Sequence, residues 1–287
     1  MTSIREGEIF RIFATNDDGI YGKGLVELSR KLAPFCEMTI VAPESPRSAA
    51  SHSVTLHKPL RLEKQSDFPW PADALPGNIA YVCSGSPTDC AMLGVLETMK
   101  DRPPHLVISG INDGQNLAED VTYSGTVAGA MEGAMLGFPA ISVSLDSRGE
   151  GNYATASHYL VSVLERLLFQ ASPGRPWRAP DEERVRQVFS GSRFLNMNVP
   201  DLPIEQVAGV AACFTGYREY KDVVQRMTDP RGRPFFWIAG ERVRNDDRDG
   251  SDVVAIAKGY VTVAPLTWDL TDYSALETVA QLLRTLR

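Results

Sequence analysis

A chain of 287 residues, 43% apolar and 23% charged, is long enough to bury a substantial core and has the composition of an ordinary folded protein, which excludes wholesale disorder. A net charge of −7 argues against a nonspecific binder of nucleic-acid duplex or anionic membrane, because both demand a basic face. Cys36, Cys83, Cys90 and Cys213 form no C-x-x-C pair, Met1–Gly7 holds no apolar signal core, and no apolar stretch reaches about 18 residues, so the expectation is a cytoplasmic protein with reduced, packed thiols and no membrane span.

In chain order the pattern is strands alternating with helices, the signature of a parallel sheet covered on both faces. The apolar run 9–15 predicts a first strand, 24–35 a helix, and Met38 to Ala42 a second strand closed by Pro43. Residues 53–62 alternate apolar and polar and read as an edge ribbon, with Pro59 suited to an edge. Tyr81 to Cys83 is a short strand, 88–100 a helix opened by Pro87-Thr88-Asp89, His105 to Ser109 a buried strand, 125–137 a small-residue helix and Pro139 to Leu145 the strand that completes the sheet core. Helical spacing follows over 154–169, then a proline-rich irregular connection over 171–180. Beyond it, 194–199, 207–214 and 260–264 predict strands, and 235–239 half of a hairpin. Residues 272–286 predict a closing helix with Leu276, Val279, Leu282, Leu283 and Leu286 on one face. Residues 215–250 carry many charges and few core anchors, which fits an arm held by a partner subunit and equally a solvated loop.

The chemistry lies in loops that follow strands. Thr15-Asn16-Asp17-Asp18-Gly19-Ile20 comes directly after the first strand. Two neighbouring carboxylates repel, and a bound hard cation such as Mg²⁺ or Mn²⁺, which takes oxygen ligands, removes the conflict. In a strand Asp17 and Asp18 would face opposite sides, so a joint site requires the chain to leave the strand at Asn16, with Gly19 supplying the turn. A plain Asx turn before a helix satisfies the same residues. The loop 42–53 after the second strand is dense in hydroxyls, with Arg47 and His52, and Ser109 to Val121 brings asparagines and carboxylates suited to oxygen ligation or phosphate positioning. Ser124-Gly125-Thr126 offers hydroxyls and backbone N–H groups at a helix start, a place for an anion, although a capping motif with small residues for tight packing reads the same way.

Together the runs T-N-D-D-G-I, V-A-P-x-x-x-R-S-x-A-S, G-S-P-T-D-C, S-G-I-N-x-G-x-N-L and D-V-x-Y-S-G-T-V-A-G-A-M-E-G resemble the signature of the survival protein E (SurE) nucleotidases, in order and spacing over residues 11–146. A weaker likeness continues through F-L-N-M-N-V-P and D-V-V-A-I-A-K-G-Y-V-T-V-A-P-L. The resemblance implies an α/β protein with a Rossmann-like three-layer core, a mostly parallel sheet and a C-terminal β-hairpin and helix arm, divided as 1–200 for the core and 201–287 for strands, arm and closing helix used in a homodimer or homotetramer. It implies a phosphomonoesterase of nucleoside 5′- and 3′-monophosphates that uses one divalent cation per subunit, Mg or Mn. The family's metal ligands fall on Asp17, Asp18, Ser48 and Asn112, with Asp17, Asp18 and Asn112 in the chemistry. Asn116, Ser124, Gly125 and Thr126 are the expected phosphate-holding residues. Gly22-Lys23-Gly24 stands where the family commonly has A-P-G, and Ala49 and His52 where it commonly has Gly and Asn. His52 fits a phosphate contact and equally a packed polar loop.

Three other readings use the same residues. A nucleotide-sugar transferase would hold metal and diphosphate on the acidic pair, and a noncatalytic nucleotide sensor would lack a ligand, a loss the chain does not have. A dinucleotide-dependent oxidoreductase needs G-x-G-x-x-G after the first strand, where this chain has N-D-D-G.

Overall fold

The computed structural model describes residues 8–47, 49–147, 150–169 and 176–284. Strand β1 (Arg11–Thr15) is buried at every residue, the mark of a strand covered on both faces. Ile12 and Ala14 pack into one apolar cluster and Phe13 into another on the opposite face, as the two-residue period of a strand requires. β1 is flanked in parallel by β2 (Glu37–Pro43) and β5 (Leu106–Asp113). Outward from β2 lie β4 (Ile79–Cys83), parallel, and the antiparallel edge β3 (Leu62–Lys64). Outward from β5 lie β6 (Ala140–Asp146) and β7 (Arg193–Pro200), both parallel, then β11 (Tyr260–Thr267), antiparallel to β7, and β8 (Gly209–Ala212), parallel to β11. The result is one nine-stranded sheet in the order β3-β4-β2-β1-β5-β6-β7-β11-β8, so strands from both parts of the chain share it.

Helix α1 (Lys23–Leu32), α4 (Tyr153–Leu168) and α5 (Glu182–Phe189) cover one face, with Leu25, Leu28, Leu160, Leu164, Val185 and Phe189 in its cluster. On the other face α2 (Pro87–Leu93), continued by a π-helical turn over Gly94–Thr98, packs with α3 (Gly125–Met135). The Rossmann-like three-layer α/β architecture expected from the sequence is therefore present. Strand order runs away from β1 in both directions, which opens a crevice between the carboxyl ends of β1 and β5, the place where such sheets take ligands.

The structure departs from the sequence expectations at a few elements. The edge ribbon of 53–62 is reduced to β3 at its far end, because the Thr55 N–H and hydroxyl are taken by Asp89 (2.8 and 2.7 Å) and Pro59 has no N–H to give. The cap of α2 is Ser86, which exchanges bonds with Asp89 in a capping box. Helices α5 and α6 (Asp252–Ala257) stand where no helix was expected, each started by a side chain accepting an N–H, Asp181 from Arg184 and Ser251 from Val254. The charged stretch is a long hairpin, β9 (Arg218–Thr228) and β10 (Pro234–Asn245), paired only with itself among the described residues. Closing helix α7 (Tyr273–Leu283) buries none of its residues; Leu276, Val279 and Leu283 lie exposed, as do Trp237 and Ile238 on the hairpin. Leu286 and residues 171–175 of the expected connection lie outside the described residues.

Candidate active site

The chain leaves β1 in a turn closed by Asn16, whose Nδ2 donates to the Gly19 carbonyl (2.9 Å), and Gly19 takes φ +95°, a conformation that side chains with a Cβ avoid. This turn delivers both carboxylates to the crevice. Asp17 is 7% exposed, and its Oδ1 accepts a hydrogen bond from the Thr126 hydroxyl. A Cβ on Gly125 would stand 3.1 Å from Asp17 Oδ2, so the start of α3 presses against this carboxylate and only a residue without a side chain lets it. Ser124 caps α3 by accepting from the Val127 N–H (3.1 Å). Burial raises the Asp17 pKa above its ordinary value, against the Thr126 hydroxyl and the backbone N–H groups of Asp17 and Thr126, which favour the charged form.

Asp18 lies more open to the crevice and accepts from the Asp113 N–H (3.3 Å). Burial first, then the neighbouring charge of Asp17, push its pKa up to about 6. Among the described residues no Lys or Arg forms an ion pair with either carboxylate. Asn112 comes from β5, where Gly110 and Ile111 face Val143 alone in a bulge that shifts the register between Ser109 and Asn112. Asn112 Nδ2 donates to the Gly114 carbonyl (2.7 Å), which orients the amide and leaves its oxygen without a partner among the described residues. Helix α1 starts close by because Gly24 has no Cβ; one added there would stand 1.8 Å from the Ile111 carbonyl oxygen.

Asn116 is held by a buried amide network. Its N–H donates to Asn198 Oδ1 (2.7 Å) and its Nδ2 to Ser144 Oγ (2.8 Å), while its carbonyl accepts from Asn196 Nδ2 (2.8 Å) and Asn198 Nδ2 (3.0 Å). Asn196 and Asn198, two apart on β7, share one face of the sheet, a spacing visible in F-L-N-M-N-V-P that had carried no role. The Thr126 side chain is fully buried and its hydroxyl donates to Asp17. Asp113 accepts from the Ser147 hydroxyl, and burial together with the charges of Asp113 and Asp18 pushes the Tyr153 phenol up to about 12. Tyr153 and Ser147 had no signal in the sequence, since they reach the crevice from beyond β6. Ser48 lies outside the described residues. His52 contacts no site carboxylate; its Nε2 stands 2.8 Å from Glu132 Oε2 on α3.

Paired carboxylates without a protein cation and an amide oxygen turned loose fit a hard divalent cation. No group of three or more His, Cys, Asp or Glu side chains that could hold a metal occurs among the described residues; Asp17, Asp18 and Asn112 offer oxygens of the kind such a cation takes.

A family model described as survival protein SurE matches residues 12–222. The chain is 41% identical over 270 residues to the 5′/3′-nucleotidase SurE of Shigella dysenteriae, covering 94% of this chain and 95% of that one. Against the 5′-nucleotidase SurE of Heliobacterium modesticaldum the identity is 40%, over 94% and 90% of the two chains. The crystal structure of the SurE protein from Aquifex aeolicus superimposes with a TM-score of 0.74 at 32% identity, covering 95% of this chain and 99% of that one.

Proposed function

The chain belongs to the survival protein SurE family, and we propose that it is a divalent-metal-dependent phosphomonoesterase that hydrolyses nucleoside 5′- and 3′-monophosphates to nucleoside and inorganic phosphate. The observation that carries the reading is the Asp17–Asp18 pair, Asp17 buried and Asp18 half-buried, set without a protein cation at the switch-point crevice and abutted by a helix N-terminus. The named activities of the Shigella and Heliobacterium relatives support it.

Asp17, Asp18, Asn112 and, from the sequence, Ser48 would hold the cation, Mg²⁺ or Mn²⁺, one per subunit. When bound it polarises the phosphoryl group and acidifies a water. The chain's own groups do the rest. The positive end of α3, with Ser124, would face the charge of a phosphate, and Gly125 lets that end pack against Asp17. Asn116, pinned by Asn196, Asn198 and Ser144, positions the loop on the other side of the phosphate. Asp17, wrapped by donors, anchors. Asp18, whose Oδ2 accepts one backbone N–H and whose Oδ1 has no hydrogen-bond partner among the described residues, accepts the proton of the attacking water.

Residues 1–200 form the catalytic core in this reading, and 201–287 supply the oligomer contacts of a homodimer or homotetramer, supported by the exposed apolar residues of the hairpin and α7. The four cysteines are free and buried and no helix among the described residues is long and apolar enough to cross a membrane, which supports a cytoplasmic site of action. The test is phosphate release from a panel of 5′- and 3′-nucleoside monophosphates with Mg²⁺, Mn²⁺ or EDTA. Release with either metal, none with EDTA and none for Asp18→Asn is expected; no release in any arm, or full activity in the Asn variant, overturns it.

A further inference from the structure

Residues 44–47 and 49–61 run between β2 and β3 along the edge of the crevice without regular structure. Several hydrogen bonds tie this strap to the core. The Arg47 N–H donates to the Asp17 carbonyl (2.7 Å), the Ser51 N–H to the Tyr123 carbonyl (3.0 Å) and its hydroxyl to the Thr122 carbonyl (2.8 Å). Farther along, Ser86 Oγ donates to the Ser53 carbonyl (2.6 Å), and Thr55 is held by Asp89. Between these ties Ala49 and Ser51 adopt φ +54° and +51°, left-handed conformations that residues with a Cβ occupy against their own preference. The path at Ala49 and Ser51 is therefore imposed by the attachments of the strap.

One of those attachments reaches deeper than the others. Glu132 is 6% exposed, and its only ion-pair partner among the described residues is His52. A buried carboxylate without a donor is strongly destabilised, so Glu132 demands the Nε2–H that His52 presents at 2.8 Å. Glu132 also rides on α3, about two turns from the Gly125 that abuts Asp17. The contact thus ties the strap to the same rigid helix that positions the first carboxylate.

We propose that His52 is a positioning residue: by donating to Glu132 it clamps the strap onto α3 and keeps its Arg47 end docked on the backbone of Asp17. The clamp is a property of the fold, while its consequence for metal and nucleotide rests on the proposed function. A strap released from α3 samples open states, and apparent affinity falls by the fraction that remains closed. Saturating metal and substrate draw it back. The effect accordingly falls on affinity and spares turnover.

The experiment compares the full chain with His52→Ala, His52→Gln, which returns an N–H donor at similar reach, and His52→Ala/Glu132→Gln, which removes the buried charge in case the single variant fails to fold. Amide hydrogen exchange is followed at Ser51 and Thr55 in metal-free protein, Mn²⁺ affinity by titration calorimetry, and KM against kcat for 5′-AMP. Expected for both Ala-containing variants are exchange at Ser51 about tenfold faster, Mn²⁺ affinity and KM each worse by about tenfold, kcat within about threefold, and recovery in the Gln variant. Unchanged exchange and Mn²⁺ affinity in both Ala-containing variants overturn the proposal, as does a folded Gln variant that recovers nothing. If the wild type releases no phosphate, the proposed function falls, and the exchange data still decide the clamp.

Discussion

Replacing Asp18 with Asn is expected to make the metal-free protein more stable while abolishing its activity. The Asp18 carboxyl is held at about 6 against an ordinary value of 3.8, because burial and the charge of Asp17 oppose ionisation. A rise of that size corresponds to about 3 kcal/mol, and the opening of the group to the crevice reduces it to about 1–2 kcal/mol through solvent screening. The sign follows from the raised pKa. Above about 6 the group is charged in both folded and unfolded chains and the full penalty falls on the folded one; as pH drops from about 6 toward 3.8 the folded chain takes up the proton and the penalty disappears. Asn keeps an oxygen for the Asp113 N–H and carries no charge. At pH 7.5 in EDTA its melting temperature should exceed that of the wild type by about 2–6 °C, and the advantage should shrink to nothing by about pH 4. Mn²⁺ reverses the order, since ligand at a hundredfold excess over its dissociation constant stabilises the wild type by about 2.7 kcal/mol and the variant far less. Scanning calorimetry across these conditions measures all of it. A variant no more stable than the wild type at pH 7.5 in EDTA, or one whose advantage is undiminished at pH 4, refutes the reasoning.

Thr126→Val keeps the shape and removes the hydroxyl that Asp17 accepts; Mn²⁺ affinity measured without nucleotide should fall about tenfold, and a change confined to KM for nucleotide would assign Thr126 to phosphate binding instead. Gly24→Ala places a Cβ on the Ile111 carbonyl and should destabilise by about 3 kcal/mol in urea titration, whereas a loss under about 0.5 kcal/mol would show that α1 is free to shift. Leu276→Glu and Ile238→Glu, on exposed apolar positions of α7 and the hairpin, should lower the sedimentation coefficient and leave far-UV circular dichroism unchanged. An unaltered coefficient for both variants removes these faces from the oligomer contact.

The parallel core was legible because β1, β2, β5 and β6 are short runs rich in apolar residues and free of charge at their centres, as a sheet covered on both faces requires. Helices α5 and α6 were not, since α5 shows the core only Val185 and Phe189 in a charged sequence and α6 is little more than one turn. The hairpin was half legible: its paired strands match each other and bury almost nothing, so the burial pattern that identifies core strands is missing. At the crevice, Asp17, Asp18, Asn112 and Gly125 stood out because each lies at the end of a strand or opens a helix. The partners that set their chemistry came from afar. Asn196 and Asn198 lie about 80 positions from the Asn116 they hold, and Tyr153 reaches the Asp18 neighbourhood from α4. A motif records a side chain's type and place along the chain, while the direction of a hydroxyl such as that of Thr126 is decided by which helix is pressed against which turn.

The two carboxylates differ because different elements surround them. Asp17 faces the first turn of α3, where the absence of a Gly125 side chain lets the Thr126 hydroxyl and backbone N–H reach it. These fixed dipoles offset part of the burial that raises its pKa and hold the carboxylate in one place, as suits a ligand whose position must not vary. Asp18 receives one weaker backbone bond from β5 and the repulsion of Asp17. It is the group with an oxygen uncommitted among the described residues and a proton affinity near neutrality, which are the two requirements of a base. The glycines that bring α1 and α3 this close thereby divide the labour between neighbouring residues of identical chemistry, and the instability stored in Asp18 is the part of the fold that a bound cation relieves.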